Sequence, residues 1–331
     1  MDEDLIPPDY NDGNRAFLQA LMARGTLTYR EAKPIVASIL TAQQDGSPGQ
    51  ERVDPETISQ ETFAAYIAAA QEAVSHFDYE IRNAMHQVRK ERVYALVNTT
   101  SDPMTQLATL HTPDQIAFVK RVIDAMFEKY NTRRMEVMCV DSMQANKFRH
   151  APRQDADNSM ELDGEGQTQA TQGTKGIKSS EVSDVLAAMV DEGWFERSQQ
   201  GFYSLSPRAL LELRAWLTDS YNDPDLGPDD WQRIKFCEAC KEIVTVGQRC
   251  AERDCNVRIH DICEDAFWRT RRQKTCPKCS TAWSGKHFVG SKAVTETEAY
   301  KRGRRGSGRD RGSLMEDIMQ DEDGEMDEEE E

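Results

Sequence analysis

From residue 14 the apolar positions recur at helical spacing. Phe17, Leu18, Leu21 and Met22 fall on one face, and Gly25 closes the run. A second stripe, Ile35, Val36, Ile39 and Leu40, predicts a helix from Thr28, with Pro34 either near its start or at a kink. Residues 44–57 are polar and rich in Gly and Pro, and read as a loop. A third helix is expected over 59–75, with Ser59 as N-cap and Phe63, Tyr66, Ile67, Ala70 and Val74 as its stripe. Thr62 stands where a capping-box acid would, so the box itself is absent. The period then changes to alternation. Phe77, Tyr79 and Ile81 alternate, and 93–97 is a β-branched run beyond the polar turn RKER. Three helices and a hairpin, in that order, are what a winged-helix unit needs.

The next helix is marked by Thr112 as cap and Pro113 in its first turn. Ile116, Val119, Val122, Ile123, Met126 and Phe127 line one face, and the helix is expected to link the first unit to a second. Residues 135–140 read as a short strand and 141–148 as a short helix. The stretch 150–176 has almost no large apolar residues and reads as a disordered insertion. Order returns at Ile177. Ser179 or Ser180 caps a helix with Val182, Val185, Leu186, Met189 and Val190 as its buried stripe, and Gly193 ends it. Trp194-Phe195 and Phe202-Tyr203 with Leu205 flank SQQG as a hairpin. Ser206-Pro207 then opens a helix over 209–217. This second winged-helix pattern is clearer than the first.

The charge is unevenly placed. The net charge is −17, but the last eleven residues, DEDGEMDEEEE, hold nine acids and no base. Residues 286–311 carry eight Lys and Arg against three acids, and 231–283 eleven against seven. The overall balance is therefore a poor guide to partners, and the tail reads as disordered. The opening MDEDLIPPDY is not a signal peptide, and no apolar run is long enough to span a bilayer, so no membrane role is expected. Winged helices often read the major groove of DNA. Here the third helices argue against it: 180–192 carries Glu181, Asp184, Asp191 and Glu192 without a base, and 59–75 carries Glu61 and Glu72 without one. Protein docking is the better use of such units. Arg82, Arg89, Lys90, Arg92, Arg133 and Arg134 are the cations that could touch a nucleic-acid backbone, though a solvated face explains them equally well. Any DNA contact is expected to be indirect.

Seven of the eight cysteines lie in one window, with a histidine among them: Cys237, Cys240, Cys250, Cys255, His260, Cys263, Cys276 and Cys279. The pairs C-x-x-C, C-x-x-x-x-C, H-x-x-C and C-x-x-C have the spacing of zinc ligands, because a short turn brings two ligands to adjacent corners of a tetrahedron. Eight ligands fill two closed sites, so two zinc ions are expected, both structural, and no catalytic residue is assigned. Disulfides are the alternative, but such frameworks belong to secreted chains. The remaining cysteine, Cys139, reads as a buried core thiol.

Interleaved pairing would place Cys237, Cys240, His260 and Cys263 at the first zinc, and Cys250, Cys255, Cys276 and Cys279 at the second. RING-type and PHD-type modules share this cross-brace. A PHD module usually has an aromatic residue two positions before its seventh ligand, where this chain has Lys274. A RING-type module often has Cys-Pro at that ligand, as in Cys276-Pro277, and a large apolar residue on the central helix, where Trp268 stands. RING is the preferred reading. The expected fold class is mixed α+β: tandem winged-helix domains followed by a cross-brace two-zinc variant RING. The expected parts are a leader (1–13), a first winged helix with its link helix (14–131), a second with its insertion (132–220), a linker (221–230), the zinc module (231–284) and a disordered basic-then-acidic tail (285–331).

With this row of ligands behind two winged helices, the chain resembles the family of non-SMC element one, a subunit of the structural maintenance of chromosomes complex numbered five–six. The resemblance covers about residues 14–283. Its most specific portions are MVDEGWFERSQQGFYSLSPRALLELRAWL (189–217) and the eight ligands. It implies a nuclear, chromosome-associated subunit with RING-type ubiquitin ligase activity, acting in DNA repair and recombination. It also implies winged helices that bind a MAGE-like subunit, which in turn binds the kleisin subunit. A RING ligase holds a charged ubiquitin-conjugating enzyme near its substrate, so its contribution is proximity and orientation. Trp268 and Pro277 are the residues expected at the docking groove for that enzyme. Two departures lower the expected activity. Glu238 and Ala239 follow the first ligand where an apolar residue is usual, and Ser280 follows the last where a base is usual. The ligase is therefore expected to be weak without its partner subunit, and a non-catalytic scaffold or a PHD-type histone reader are the alternatives. The zinc module is expected to unfold locally when a ligand is lost, leaving the winged helices standing.

Overall fold

The computed structural model describes residues 10–44, 52–100, 110–151, 176–227, 230–305 and 318–319. The leader to residue 9, half of the loop at 44–57, nearly all of the 150–176 insertion and most of the chain after 305 lie outside them.

The first unit begins two residues before the apolar pattern did. Helix α1 (Asp12–Arg24) starts behind Asn11, whose side chain accepts from the Gly13 and Asn14 N–H groups, and Gly25 closes it. Strand β1 (Thr26–Thr28) and helix α2 (Tyr29–Gln43) follow. Thr28 and Glu31 form a reciprocal capping box, and α2 runs through Pro34 without ending. Helix α3 (Gln60–Ser75) leads into β2 (Tyr79–Met85) and β3 (Arg92–Asn98). The Ser59 hydroxyl caps α3 by accepting from Thr62 N–H. The sheet order is β1-β3-β2, all antiparallel. Strand β1 was too short to show in the pattern. Phe17, Leu21, Leu27, Val36, Phe63 and Tyr66 make this unit's own core.

The second unit corrects a boundary. Helix α4 (Pro113–Asp124), expected to belong to the first unit as a link, has Phe118, Val119, Val122 and Ile123 in the core of the second. It is that unit's first helix, followed by a single π-type turn (Ala125–Lys129). The segment 135–140 is not a strand. Val140 makes an isolated bridge to Tyr203, and Met138 has φ +45°. Helices α5 (Ser142–Lys147) and α6 (Ser179–Asp191) and strands β4 (Phe195–Arg197) and β5 (Tyr203–Leu205) complete the winged helix. The 150–176 insertion falls between α5 and α6. Neither serine caps α6: Lys178 is its N-cap residue, and Glu181 accepts from the Lys178 N–H. At its far end Gly193 (φ +78°) allows Trp194 N–H to reach back to Met189 O at 2.9 Å. Ser206 caps α7 (Pro207–Glu212), and a slight break at Leu213 separates it from α8 (Arg214–Tyr221).

The two units share a seam. Tyr94 and Leu96 of β3 face the first core, while Ala95 and Val97 on the other face meet Leu211 of α7. At the wing tip, His86 and Arg89 both reach Glu196 of β4, each at 2.9 Å.

The last module is built on strands β6 (Gly247–Arg249), β7 (Arg258–Ile259) and β8 (Phe288–Val289), in the order β7-β6-β8, with helix α9 (Asp261–Arg269) between β7 and β8. A Cβ at Gly247 would stand 2.4 Å from Ile259 O, so only glycine allows β6 this close to β7. Strand β8 and helices α10 (Lys292–Thr295) and α11 (Glu298–Arg305) lie in the stretch expected to be a disordered tail. Val289 and Val294 are fully buried, so the folded module extends at least to residue 305. Its core is continuous with that of the second winged helix: Ile234, Val257, Ile259 and Val289 belong to the same cluster as Leu186 and Phe118. No boundary in the apolar contacts divides the metal-bearing module from the second winged helix.

Candidate metal centres

Both C-x-x-C pairs sit in turns of one design. Lys241 N–H donates to Cys237 O at 2.9 Å and Ser280 N–H to Cys276 O at 3.0 Å. Cys237 N–H reaches Glu242 O and Cys276 N–H reaches Thr281 O, each at 2.8 Å. The residue after each pair, Lys241 or Ser280, has φ +61°. This geometry aims both thiols of a pair to the same side. The other ligands come from β6 (Cys250 follows it), the 250–255 loop, and the start of α9, where His260 is the N-cap residue and Cys263 lies in the first turn.

The eight ligands gather into two groups of four, in the interleaved pairing: Cys237, Cys240, His260 and Cys263, and Cys250, Cys255, Cys276 and Cys279. Within each group all ligand atoms lie within 4.8 Å of one another. Ligands about 2.3 Å from a central ion at tetrahedral angles would stand about 3.8 Å apart. Here Cys250 and Cys279 Sγ are 3.4 Å apart, Cys255 and Cys276 Sγ 3.6 Å, and His260 Nδ1 is 3.2 Å from Cys240 Sγ and 3.9 Å from Cys263 Sγ. Hydrogen bonding with Cys240 draws the Cys237 thiol down to about 3, while Cys240 is pushed up. Sulfurs held this close share a proton or a cation. The donor set fits zinc, with no position left for substrate.

His260 is oriented from behind. Its Nε2–H donates to Ile243 O at 3.1 Å, which leaves Nδ1 as the ligand atom. The same carbonyl accepts from Gln87 Nε2 at 2.9 Å. Gln87 comes from the wing of the first winged helix, and its Oε1 accepts from Thr245 N–H (3.0 Å) and Val246 N–H (2.8 Å). On the other side Arg214 of α8 pairs with Glu242 and donates to Lys241 O. The loop between the second and third ligands is thus gripped by both winged helices.

A second grip lies beneath the second group. Glu136, from the segment misread as a strand, is 1% exposed and faces three cations. Arg258, fully buried, donates Nε to Oε2 at 2.7 Å and Nη2 to Oε1; Lys235 Nζ is 3.0 Å and Arg249 Nη1 3.8 Å from Oε1. Burial alone would raise the Glu136 carboxyl, but the Arg258 charge and hydrogen bonds, with Lys235 and Arg249, bring it down to about 2. Gln87 and Glu136 escaped the sequence reading. They look like ordinary polar positions, and their partners lie 99 residues or more away along the chain.

The two residues expected at a docking groove part company. Pro277 is exposed. Trp268 is only 6% exposed, packed edge-on against Phe267 at 4.9 Å and against Trp283 at 5.5 Å, so it is a core residue of the module rather than a surface contact. The position next to the first ligand is half-buried Glu238, ion-paired with Lys241. Lys274 is exposed and pairs with Glu264. Of the cations considered for a nucleic-acid backbone, Arg82 is tied to Glu80 and Leu211 O, Arg89 to Glu196, Arg92 to Asn83, and Arg133 to Asp254. Cys139 is buried in the core, and burial raises its thiol, as expected of a packing residue.

Two family models match the chain. The Nse1 non-SMC component of the SMC5-6 complex matches residues 14–213, and a RING-like domain matches residues 237–279. The human non-structural maintenance of chromosomes element 1 homolog is 19% identical over 275 residues, covering 82% of this chain and 84% of that protein. The Schizosaccharomyces pombe protein, non-structural maintenance of chromosomes element 1, is 22% identical over 254 residues, covering 76% and 89%. A solved structure described as the Nse1-Nse3-Nse4 complex superposes with a TM-score of 0.61 at 17% identity, covering 84% of this chain and 99% of that one. At that identity the superposition shows the fold.

Proposed function

Because the chain belongs to the family of the Nse1 non-SMC component of the SMC5-6 complex, we propose that it is a RING-type ubiquitin ligase subunit of such a complex, acting in DNA repair and recombination in the nucleus. The observation that carries this reading is the pair of intact four-ligand groups in cross-brace pairing, set on two winged helices. Two structural zinc ions fill them. The module holds a charged ubiquitin-conjugating enzyme in place, and no residue of the chain bonds covalently to ubiquitin. Pro277, which is exposed, is the residue we assign to contact that enzyme. The winged helices dock a MAGE-like subunit, which engages the kleisin. The fold's likeness to a chain of the Nse1-Nse3-Nse4 complex supports that arrangement. The test is ubiquitin transfer in a reconstituted reaction, with and without the MAGE-like subunit. Weak transfer alone and stronger transfer with the partner is the expected result. No transfer in either reaction, beside a working control RING, removes the enzyme claim.

Glu238 and buried Trp268 favour a second reading, in which the module only completes an interface of the complex. It predicts full assembly with the partner subunit and no transfer. The histone-reader alternative loses support from Lys274, whose side chain pairs with Glu264 where an aromatic wall would stand.

A further inference from the structure

The shape of the 250–258 segment is held by two buried guanidiniums. Arg249 donates Nε to Cys250 O at 3.4 Å and Nη2 to Arg253 O at 3.2 Å. Arg258 donates Nη1 to Cys255 O at 2.6 Å and to Val257 O at 2.7 Å. The main chain at two ligands of the second metal group is therefore fixed by these side chains. They are fixed in turn by Glu136, which lies outside the module, and Arg249 also donates to Arg134 O at 3.1 Å. Gly290 N–H donates to Glu136 O at 2.8 Å and ties the same residue to the segment after β8.

Charge points the same way. Arg249 and Arg258, with Lys235, whose ammonium burial draws down to about 7 against the pull of Glu136, bring three cationic groups against the one carboxylate of Glu136, all nine-tenths or more buried. Such an excess in a dry interior is costly unless a counter-charge lies beside it. Four thiolates around a divalent cation carry a net charge of −2 (four negative, two positive), which matches the excess of +2 (three positive, one negative) that the cluster carries when Lys235 is protonated, and such an anion beside it favours that form. The other group, with a neutral histidine, would carry only −1.

We propose that Glu136 is a positioning residue for the second metal centre. Acting through Arg249 and Arg258, it shapes the Cys250–Cys255 ligand loop from the winged-helix side, and the cation cluster it gathers is the counter-charge of a four-thiolate divalent metal site. The inference rests on the zinc reading above. It makes metal retention at the second site depend on a residue a hundred positions before the first ligand, while the first site depends on the Gln87–Ile243 contact instead.

The test measures zinc transfer from the full chain to a chromophoric chelator. Glu136→Gln and Arg258→Lys are compared with the unsubstituted protein, and Cys279→Ser assigns the second-site equivalent. Removing such an outer-shell partner typically weakens a metal site by about 10–100-fold. The expected result is release from the second site faster by about tenfold or more in both variants, with the first-site equivalent unchanged. Cobalt loading gives a second readout, a shift of the thiolate charge-transfer band of the four-cysteine site alone. Unchanged release from both sites overturns the inference, and so does equal acceleration at both, which would mean general loosening. Should Glu136→Gln fail to fold, Arg258→Lys carries the comparison, since it keeps the charge and loses the forked hydrogen bonds to Glu136 together with those to Cys255 O and Val257 O. If the unsubstituted chain releases no metal, the zinc reading falls first and this inference with it.

Discussion

Replacing Gln87 by alanine tests whether the wing of the first winged helix holds the metal-bearing loop. The side chain is 9% exposed and serves three backbone groups of residues 243–246. Ile243 O keeps His260 as a donor after truncation, so its loss is small. The Thr245 and Val246 N–H groups lose their acceptor. A buried polar group left without a partner costs about 1–3 kcal/mol. Val246 is only half-buried, so water can reach its N–H and bring that share to the low end. The sum is a destabilisation of about 2–4 kcal/mol. Gln87→Met, which keeps the volume without hydrogen bonds, should lose nearly as much as Gln87→Ala. The assay is urea unfolding at fixed zinc, followed by tryptophan fluorescence, since Trp268 and Trp283 report on the module. A change within about 0.5 kcal/mol, the range of a plain surface substitution, would refute the reasoning.

Three further outcomes follow from the packing and the charges. Leu186→Ala, at a fully buried site of α6, should cost about 2–5 kcal/mol in the same unfolding assay. Stripping the metal with a chelator should reduce hydrogen-exchange protection in α6 as well as in the module, because they share one core, while α1 to α3 keep theirs; unchanged protection in α6 would contradict the continuity. Glu212 is raised above the ordinary carboxylate range by burial, against the pull of Arg208. The folded state therefore holds its proton to higher pH than the unfolded state, and this group's contribution to stability falls as pH rises from the unfolded value through the folded one. The gap between the wild type and Glu212→Gln should accordingly change as pH rises from about 4.5, the unshifted value; parallel pH profiles would show that Glu212 does not titrate as inferred.

Local signals in the sequence determine the structure where one residue decides the outcome. Thr112-Pro113, Ser206-Pro207, Gly25 and Gly193 mark their helix ends by backbone chemistry alone, and the ligand row shows its local pairs in its spacing, while their interleaving followed from the cross-brace of RING- and PHD-type modules. What failed was whatever depends on distant partners. The apolar stripe of α4 announced a helix without saying which core it faces. Residues 137–140 are buried on every side, so their run of apolar residues cannot distinguish a strand from a packed turn with Met138 in the left-handed region. Residues 285–305 hold few apolar side chains among many polar ones, and Val289, Val294 and Tyr300 are anchors that composition averages away. Trp268 sits on the expected helix, but the pattern could not tell that Trp283 would cover it.

The placement of β8 bears on where this protein can be cut. A fragment ending at its last metal ligand would keep all eight ligands and lose the strand that pairs with Gly247 and Gln248. Strand β6 would then present one row of unpaired N–H and C=O groups beside uncovered apolar surface, including the site vacated by Val289. An edge of that kind invites pairing with a second copy. Oligomers formed by such a fragment would be products of the truncation, and a faithful minimal piece must run past Tyr300.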